Sequence, residues 1–340
     1  MSAPLPTAAA PRQRRWGRGA AAALLLTVLA VTSIFVGVTE IGPLDLLTGR
    51  ATDRQWENIV VSRLPRTVAV LLAGAALAVS GLLMQTLVRN RFVEPGTVGT
   101  SESAVVGILL VTLLWPEAPL ILKMLVAVVT ALLGTALFLK LVRAIPRGEA
   151  IVAVPLVGMM LAGMISAATT FVAFRYDLLA TLGSWMAGDF SGVLRGRYEL
   201  LWLVGAVFVA VWVAADRFTI ASLGESHASS LGLRYQSAVT LGLALICAAS
   251  AICLVVVGAI PFIGLVVPNL VTRVLGDHLR RCLPWIAVSG SGFVLVCDLL
   301  ARTINRPFEV PVGTIAGVIG AAAFLILLAH QAPRLAGGSR

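Results

Sequence analysis

Apolar stretches close to the ~20 residues that cross a hydrocarbon core recur along the chain and decide most of what it can become. Leu64–Thr86 carries a single charge, Arg66, and Ser237–Val257 carries none. With 59% hydrophobic residues, 12% charged residues and a mean hydropathy of +0.96, a soluble fold of 340 residues is excluded, because most of its surface would be apolar. The expectation is an all-α polytopic membrane protein with ten transmembrane helices. They fall at about Gly19–Val38, Leu64–Thr86, Val98–Trp115, Leu120–Leu141, Ile151–Ala173, Tyr198–Ala214, Ser237–Val257, Phe262–Leu275, Leu283–Ala301 and Val312–Ala329. The eighth is short and carries Pro268, so it is expected to kink or stop early. Gly19–Val38 is long for a signal-peptide core of ~7–15 residues, and no small-x-small site clearly closes it, so it is read as a retained span.

The organisation that follows is a basic, disordered arm over 1–18, one transmembrane domain over 19–330 and a tail over 331–340. Residues 39–63, of mixed charge, form an external segment that is partly helical. The formal charge of +10 rests on arginine, Lys123 and Lys140 being the only lysines. In such a protein the excess sets orientation, so nucleic-acid binding is not inferred from it. Starting from a cytoplasmic N-terminus, 16 of the 26 basic residues fall on the cytoplasmic side, which places both termini and residues 218–234 there. Cys247, Cys253, Cys282 and Cys297 lie in or near apolar segments without CxxC spacing and read as small buried hydrophobes. Gly74 with Ala78, and Gly313, Gly317 and Gly320, have the spacing that lets helix backbones approach, within one bundle or across a dimer seam.

Phe218–Arg234 is a polar island between two apolar halves. Ser222 is expected to cap a short helix, with Glu225 three residues on as its capping-box partner and Gly232 as its stop. Ala221, Leu223, Ala228 and Leu231 would form an apolar face, leaving Glu225, Ser226, Ser229 and Ser230 in water. A lipid-surface helix favours Lys and Arg opposite bulky anchors, and Ala221–Leu233 has neither. Docking on a partner protein is therefore preferred to lying on lipid, with an ordinary loop between spans as the other reading.

Several chemistries lack their residues. No G-x-x-x-x-G-K-[ST] loop is present, and neither lysine follows a glycine, so the chain has no phosphate loop of its own. His227, His278 and His330 have no ligand spacing, so no metal site is expected. No Ser/His or paired-Asp set suggests an intramembrane protease, and no catalytic residues are assigned. Glu102, Lys123 and Asp298 are the ionisable residues nearest membrane depth; each sits near a span end, where snorkelling or a local ion pair explains it as well as ion coupling does.

An ordered set of motifs carries a resemblance. Ser62-Arg-Leu-Pro-Arg-Thr67, Ala73–Gly81, Gln85, Arg89-Asn90 and Pro95 come first. Gly224–Gly232, Gly258-Ala-Ile-Pro-Phe-Ile-Gly-Leu-Val-Val-Pro268, Asp277-His278, Cys297–Arg302 and Glu309-Val-Pro-Val-Gly313 follow. This pattern, over about residues 60–330, resembles the permeases of iron–siderophore and cobalamin ABC importers. Arg89–Thr100 departs from the commonest family form and is similar to the variant of catecholate-siderophore permeases; Asn269 stands where many members have His. The resemblance implies the ten-helix permease fold of such importers, in the cytoplasmic membrane of a bacterium. It also implies inward transport of a ferric siderophore with ATP hydrolysed by two separate cytoplasmic subunits, no cofactor on this chain, and no enzymatic activity of its own. Further partners implied are a second permease copy or paralogue and an extracytoplasmic substrate-binding protein. By the same resemblance Ser222, Gly224, Glu225, His227, Ala228, Leu231 and Gly232 belong to a coupling helix that seats on the ATPase subunit. Arg63, Arg66 and Arg302 match external arginines that receive acidic residues of the binding protein, orientation and headgroup contact being the other reading for them. An ion-coupled carrier, or the same family carrying haem or cobalamin, are the alternatives.

Overall fold

The computed structural model describes residues 12–37, 52–145, 150–196, 198–305 and 308–330. The helices are α1 (Arg12–Phe35), α2 (Asp53–Asn58), α3 (Leu64–Val88), α4 (Thr100–Leu114), α5 (Leu120–Val142), α6 (Ala150–Arg175) and α7 (Leu179–Met186). They continue as α8 (Trp202–Ala221), α9 (Glu225–Ser230), α10 (Tyr235–Val257), α11 (Ile263–Leu275), α12 (Leu279–Thr303) and α13 (Val312–Ala329). Among the described residues seven helical segments are long and apolar enough to cross a membrane, and Ala21–Phe35, α4 and α11 are shorter apolar helices. The expected count of ten spans is thus matched only roughly: seven coincide with these segments, and the other three fall on the shorter helices. The basic arm is corrected in part: Arg12–Arg18 continue the first helix, while 1–11 and the 331–340 tail lie outside the described residues.

α3 is the axis of the bundle, packed by α8, α10, α11 and α12. Helices in lipid gain little from burying apolar surface, so close backbone contact through small residues has to hold them. Ala69, Ala73, Ala76 and Ala78 are buried along α3. Gly74 lies so close to Gly290 of α12 that a Cβ on it would come 2.6 Å from the Gly290 carbonyl oxygen. Ser291 Oγ donates to the Leu71 carbonyl at 2.7 Å across the same crossing. The small-residue spacing therefore serves packing within the chain: Gly313 meets the carbonyls of Ala187 and Ala259, and Gly320 meets the Phe262 ring. The outer helices present their apolar side chains outward, as lipid-facing surface does; Met164, Phe171, Val213 and Val318 are exposed. The four cysteines are buried thiols.

The helix carrying Pro268 does not stop at it. α11 runs thirteen residues through the proline to Leu275. It begins beside the middle of α3, where Gly264 packs on Gly81 and on the Leu77 carbonyl, so it covers only part of the depth that α3 spans. Pro268 cannot donate to the carbonyl four residues back, that of Gly264. Gln85 Nε2 of α3 donates to that oxygen instead, at 3.0 Å. Between α10 and α11 the chain breaks at Gly258–Phe262, with Gly258 at φ +83° and Phe262 at φ +65°. Only glycine adopts such a φ without strain, so Gly258 is the natural pivot of the break.

Candidate functional site

Three places stand out, and the first two combine the sequence-predicted residues. The first is α9, beyond one end of α3, where a Cβ on Gly224 would meet the Arg89 guanidinium at 2.9 Å. Ser222 does not cap α9. It closes α8, its Oγ donating to the Thr219 carbonyl at 2.7 Å. The N-cap is Gly224, held at φ +97° and ψ +166°, which a residue with a Cβ adopts only under strain. The stop at Gly232 is as expected: with φ +77°, its N–H reaches the Ser229 carbonyl at 2.9 Å and the Leu233 N–H reaches Ala228 at 3.0 Å. That pair is the Schellman pattern.

The apolar face of α9 is divided differently from the expectation. Ala221 and Ala228 turn into the bundle, whereas Leu223 is 51% and Leu231 64% exposed. Glu225, Ser226 and His227 are exposed beside them. Adjacent elements fix this arrangement: α9 touches α8 and α10, and Gln236 Nε2 donates to Glu225 Oε1 at 3.4 Å. The outcome is a short, fixed projection with two large apolar side chains at its surface and one carboxylate. Its predicted residues come together, apart from Ser222, which stands one turn before it.

The second place is the other end of α3. Arg63, Arg66 and Arg302 converge there, but they are only 6%, 8% and 5% exposed. Arg66 donates from Nε at 3.0 Å and Nη2 at 2.8 Å to Asp298 Oδ1, and from Nη1 at 2.6 Å to Glu309 Oε2. Arg302 pairs with the other Asp298 oxygen and with Ser33 Oγ. Its Nη1 donates to the carbonyls of Ser33 at 2.9 Å and Val36 at 2.8 Å, while Arg63 donates to those of Ile34 at 2.9 Å and Phe35 at 3.1 Å. These are the unpaired carbonyls at the C-terminus of α1, where cations are favoured by the helix dipole. The three arginines thus fasten α1, α3, α12 and the segment before α13. The local ion pair considered for Asp298 is present, with Arg302 one turn on, and Asp298 pairs as well with Arg66, 232 residues away.

The third place is the break between α10 and α11, which sequence reasoning did not single out as a site. Glu94, buried in the segment between α3 and α4, accepts the Phe262 N–H at 3.1 Å. Asn269 Nδ2 donates to the Arg91 carbonyl at 2.8 Å. With Gln85, these contacts bind the N-terminal half of α11 to α3 and its following loop. Ala259 N–H donates to the Trp185 carbonyl at 3.2 Å and Gly313 N–H to Gly188 at 2.9 Å, which ties the end of α7 and the start of α13 to the same point. The signal was present in the motifs Gln85…Arg89-Asn90…Pro95 and Gly258–Pro268, which pack on one another here.

Among the described residues, an all-helical bundle with seven segments long and apolar enough to cross a membrane, a helix break beside α3 and a short helix beyond one end fits a multi-pass membrane protein of the transport permease class. The sequence profile of the FecCD transport family matches residues 25–330. The chain belongs to that family. It is 42% identical over 308 residues to the petrobactin import system permease protein YclN of Bacillus subtilis, covering 91% of this chain and 96% of that one. It is 40% identical over 314 residues to the petrobactin import system permease protein FatD of Bacillus anthracis, covering 92% and 91%. Among solved structures, a chain described as an inward-facing metal-chelate type ABC transporter aligns with TM-score 0.75 at 24% identity, covering 91% of this chain and 98% of that one, a likeness of fold.

Proposed function

We propose that this chain is the membrane-spanning subunit of an ATP-driven importer that carries a ferric siderophore, of the catecholate type, inward across a bacterial cytoplasmic membrane. The observation that carries the reading is α9: a rigid projection with Leu223 and Leu231 exposed and almost no charge. Such a peg enters a cleft on another protein at small desolvation cost, and two large exposed apolar side chains flanking so short a helix mark an interaction surface. Two separate ATPase subunits seat two such pegs, one on each of a pair of permeases, and the ATP is theirs. On this reading α9 and both termini face the cytoplasm. Family membership and the petrobactin names of two close relatives support the cargo.

On the opposite face a substrate-binding protein delivers the loaded siderophore. Its carboxylates reach Arg66 by exchanging with Glu309, whose side chain is 26% exposed, while Asp298 keeps the guanidinium in place. Reversing Arg63 and Arg66 to Glu is expected to weaken capture of the binding protein, with rescue by the opposite reversal on that partner; unchanged affinity counts against this docking. The test of the main reading is Glu225→Arg or Leu231→Asp. Each variant is expected to remain in the membrane, to lose co-purification of the ATPase and to abolish radio-iron uptake. A fully active ATPase still held by both variants removes α9 as the seat.

A further inference from the structure

Where α8 ends and α10 begins, a pocket of about 530 Å³ opens on the same side of the bundle as α9, whose stop, Gly232, is in its wall. Arg217, Arg234 and Ser237 supply its polar lining, and Phe218, Leu233 and Leu241 its apolar one. Both arginines are exposed. Among the described residues neither guanidinium lies within ion-pairing distance of a carboxylate. The adjacent acid, Asp216, is taken by Arg280 Nη1 at 2.8 Å, and Glu225 faces Gln236. Two cations without a counter-charge on one pocket mark a place for an anion. The first turn of α10 adds to it: no side chain caps that turn, so its N–H groups are open to an acceptor.

The surface below the pocket decides which anion. One and two turns before Arg217, Val213 and Val209 are exposed on the same face of α8. Leu241 is exposed one turn beyond Ser237 on α10, which packs along α8. Basic groups at the end of the bundle thus stand over a strip of bare hydrocarbon on two membrane-spanning helices. A soluble phosphate would use the head of this arrangement and leave the strip uncovered, whereas a phospholipid fills both. The wall holds no aspartate or glutamate, so the ammonium of a zwitterionic headgroup finds no partner there. We propose that the pocket is a binding site for an anionic glycerophospholipid. Its phosphate accepts from Arg217, Arg234 and Ser237 Oγ, and its acyl chains follow Val213, Val209 and Leu241. Basic recesses between spans at a membrane surface take acidic headgroups in this way. Because Gly232 is part of the wall, the bound lipid backs the end of α9. The site goes beyond the importer reading and does not depend on it.

The test uses the full chain, stripped of lipid in a non-ionic detergent and given equimolar dioleoylphosphatidylglycerol and dioleoylphosphatidylcholine. Native mass spectrometry reads the lipids retained per chain. The parent is expected to hold phosphatidylglycerol about tenfold in preference to phosphatidylcholine, as two arginines at a membrane surface allow. Arg217→Gln with Arg234→Gln should bring the two lipids to parity, and Arg217→Lys with Arg234→Lys should keep most of the preference. Arg175→Gln, at the end of α6, is the control and should leave it unchanged. Phosphatidylglycerol carrying a diazirine midway along its chains should label α8 around Val209 and Val213. Millimolar glycerol 3-phosphate should not displace the lipid. Equal retention of the two lipids by the parent, labelling confined to other helices, or full displacement by glycerol 3-phosphate would each overturn the proposal. A preference that survives the glutamine pair overturns it as well, and loss of ATPase co-purification in that same variant would assign the pocket to a protein partner instead.

Discussion

Pro268 removes the N–H that would have reached the Gly264 carbonyl, and Gln85 fills the gap from another helix. The two residues therefore compensate each other, and their effects should not add. Gln85→Leu leaves a buried carbonyl without a donor, at about 1–3 kcal/mol. In a Pro268→Ala background α11 supplies its own N–H, so the same substitution should cost close to nothing. Thermal unfolding midpoints of the four chains in one detergent measure the coupling; additive shifts would mean that Gln85 acts elsewhere. The proline on its own suggests an early stop, because the compensating amide lies 179 residues from the Gly264 carbonyl it serves and no local pattern reveals it.

α9 is held by two glycines, Gly224 at its start and Gly232 at its end. Gly232→Val places a β-branched residue at φ +77°, a left-handed region that such residues strongly disfavour. The expected outcome is a misdirected α9: normal amounts of chain in the membrane, and at least severalfold less ATPase bound in a pull-down. This element was largely legible in the sequence, since Gly232, the serines and the lack of Lys and Arg are local signals. Its outward leucines were not, because which face of a six-residue helix turns inward depends on α8 and α10. The same division runs through the spans. Long apolar runs such as Ser237–Val257 predict their helices, whereas short α7 lacks the length to announce itself and α11 passes its proline because a residue of another helix serves the freed carbonyl.

Across the bundle, the arginines matched to a docking role lie inside it. Local sequence gives their charge, but burial was decided by Asp298, Glu309 and the open carbonyls of α1. Asp298 serves Arg66 and Arg302 together, so Asp298→Ala should leave two buried cations without their shared anion. A loss of about 3–5 kcal/mol is expected, as for breaking a buried pair from one side. Loss of α1 contacts should accompany it, read as new protease cleavage near 35–37 in the folded chain. A variant as stable as the parent would mean that the guanidiniums reach solvent once Asp298 is gone.

The separation of Arg66 from Asp298 also has a consequence for how the protein is made. At synthesis rates of about 5–20 residues per second, the 232 residues between them take roughly ten to fifty seconds to emerge. For that interval α3 has been threaded into the bilayer while its counter-ion has yet to be translated. The guanidinium has to wait at the lipid–water boundary, neutralised by headgroup phosphates or sheltered by the insertion machinery, until α12 arrives. A bundle whose axis is among its earliest helices and whose clasp is among its last completes itself only near the end of its own biosynthesis.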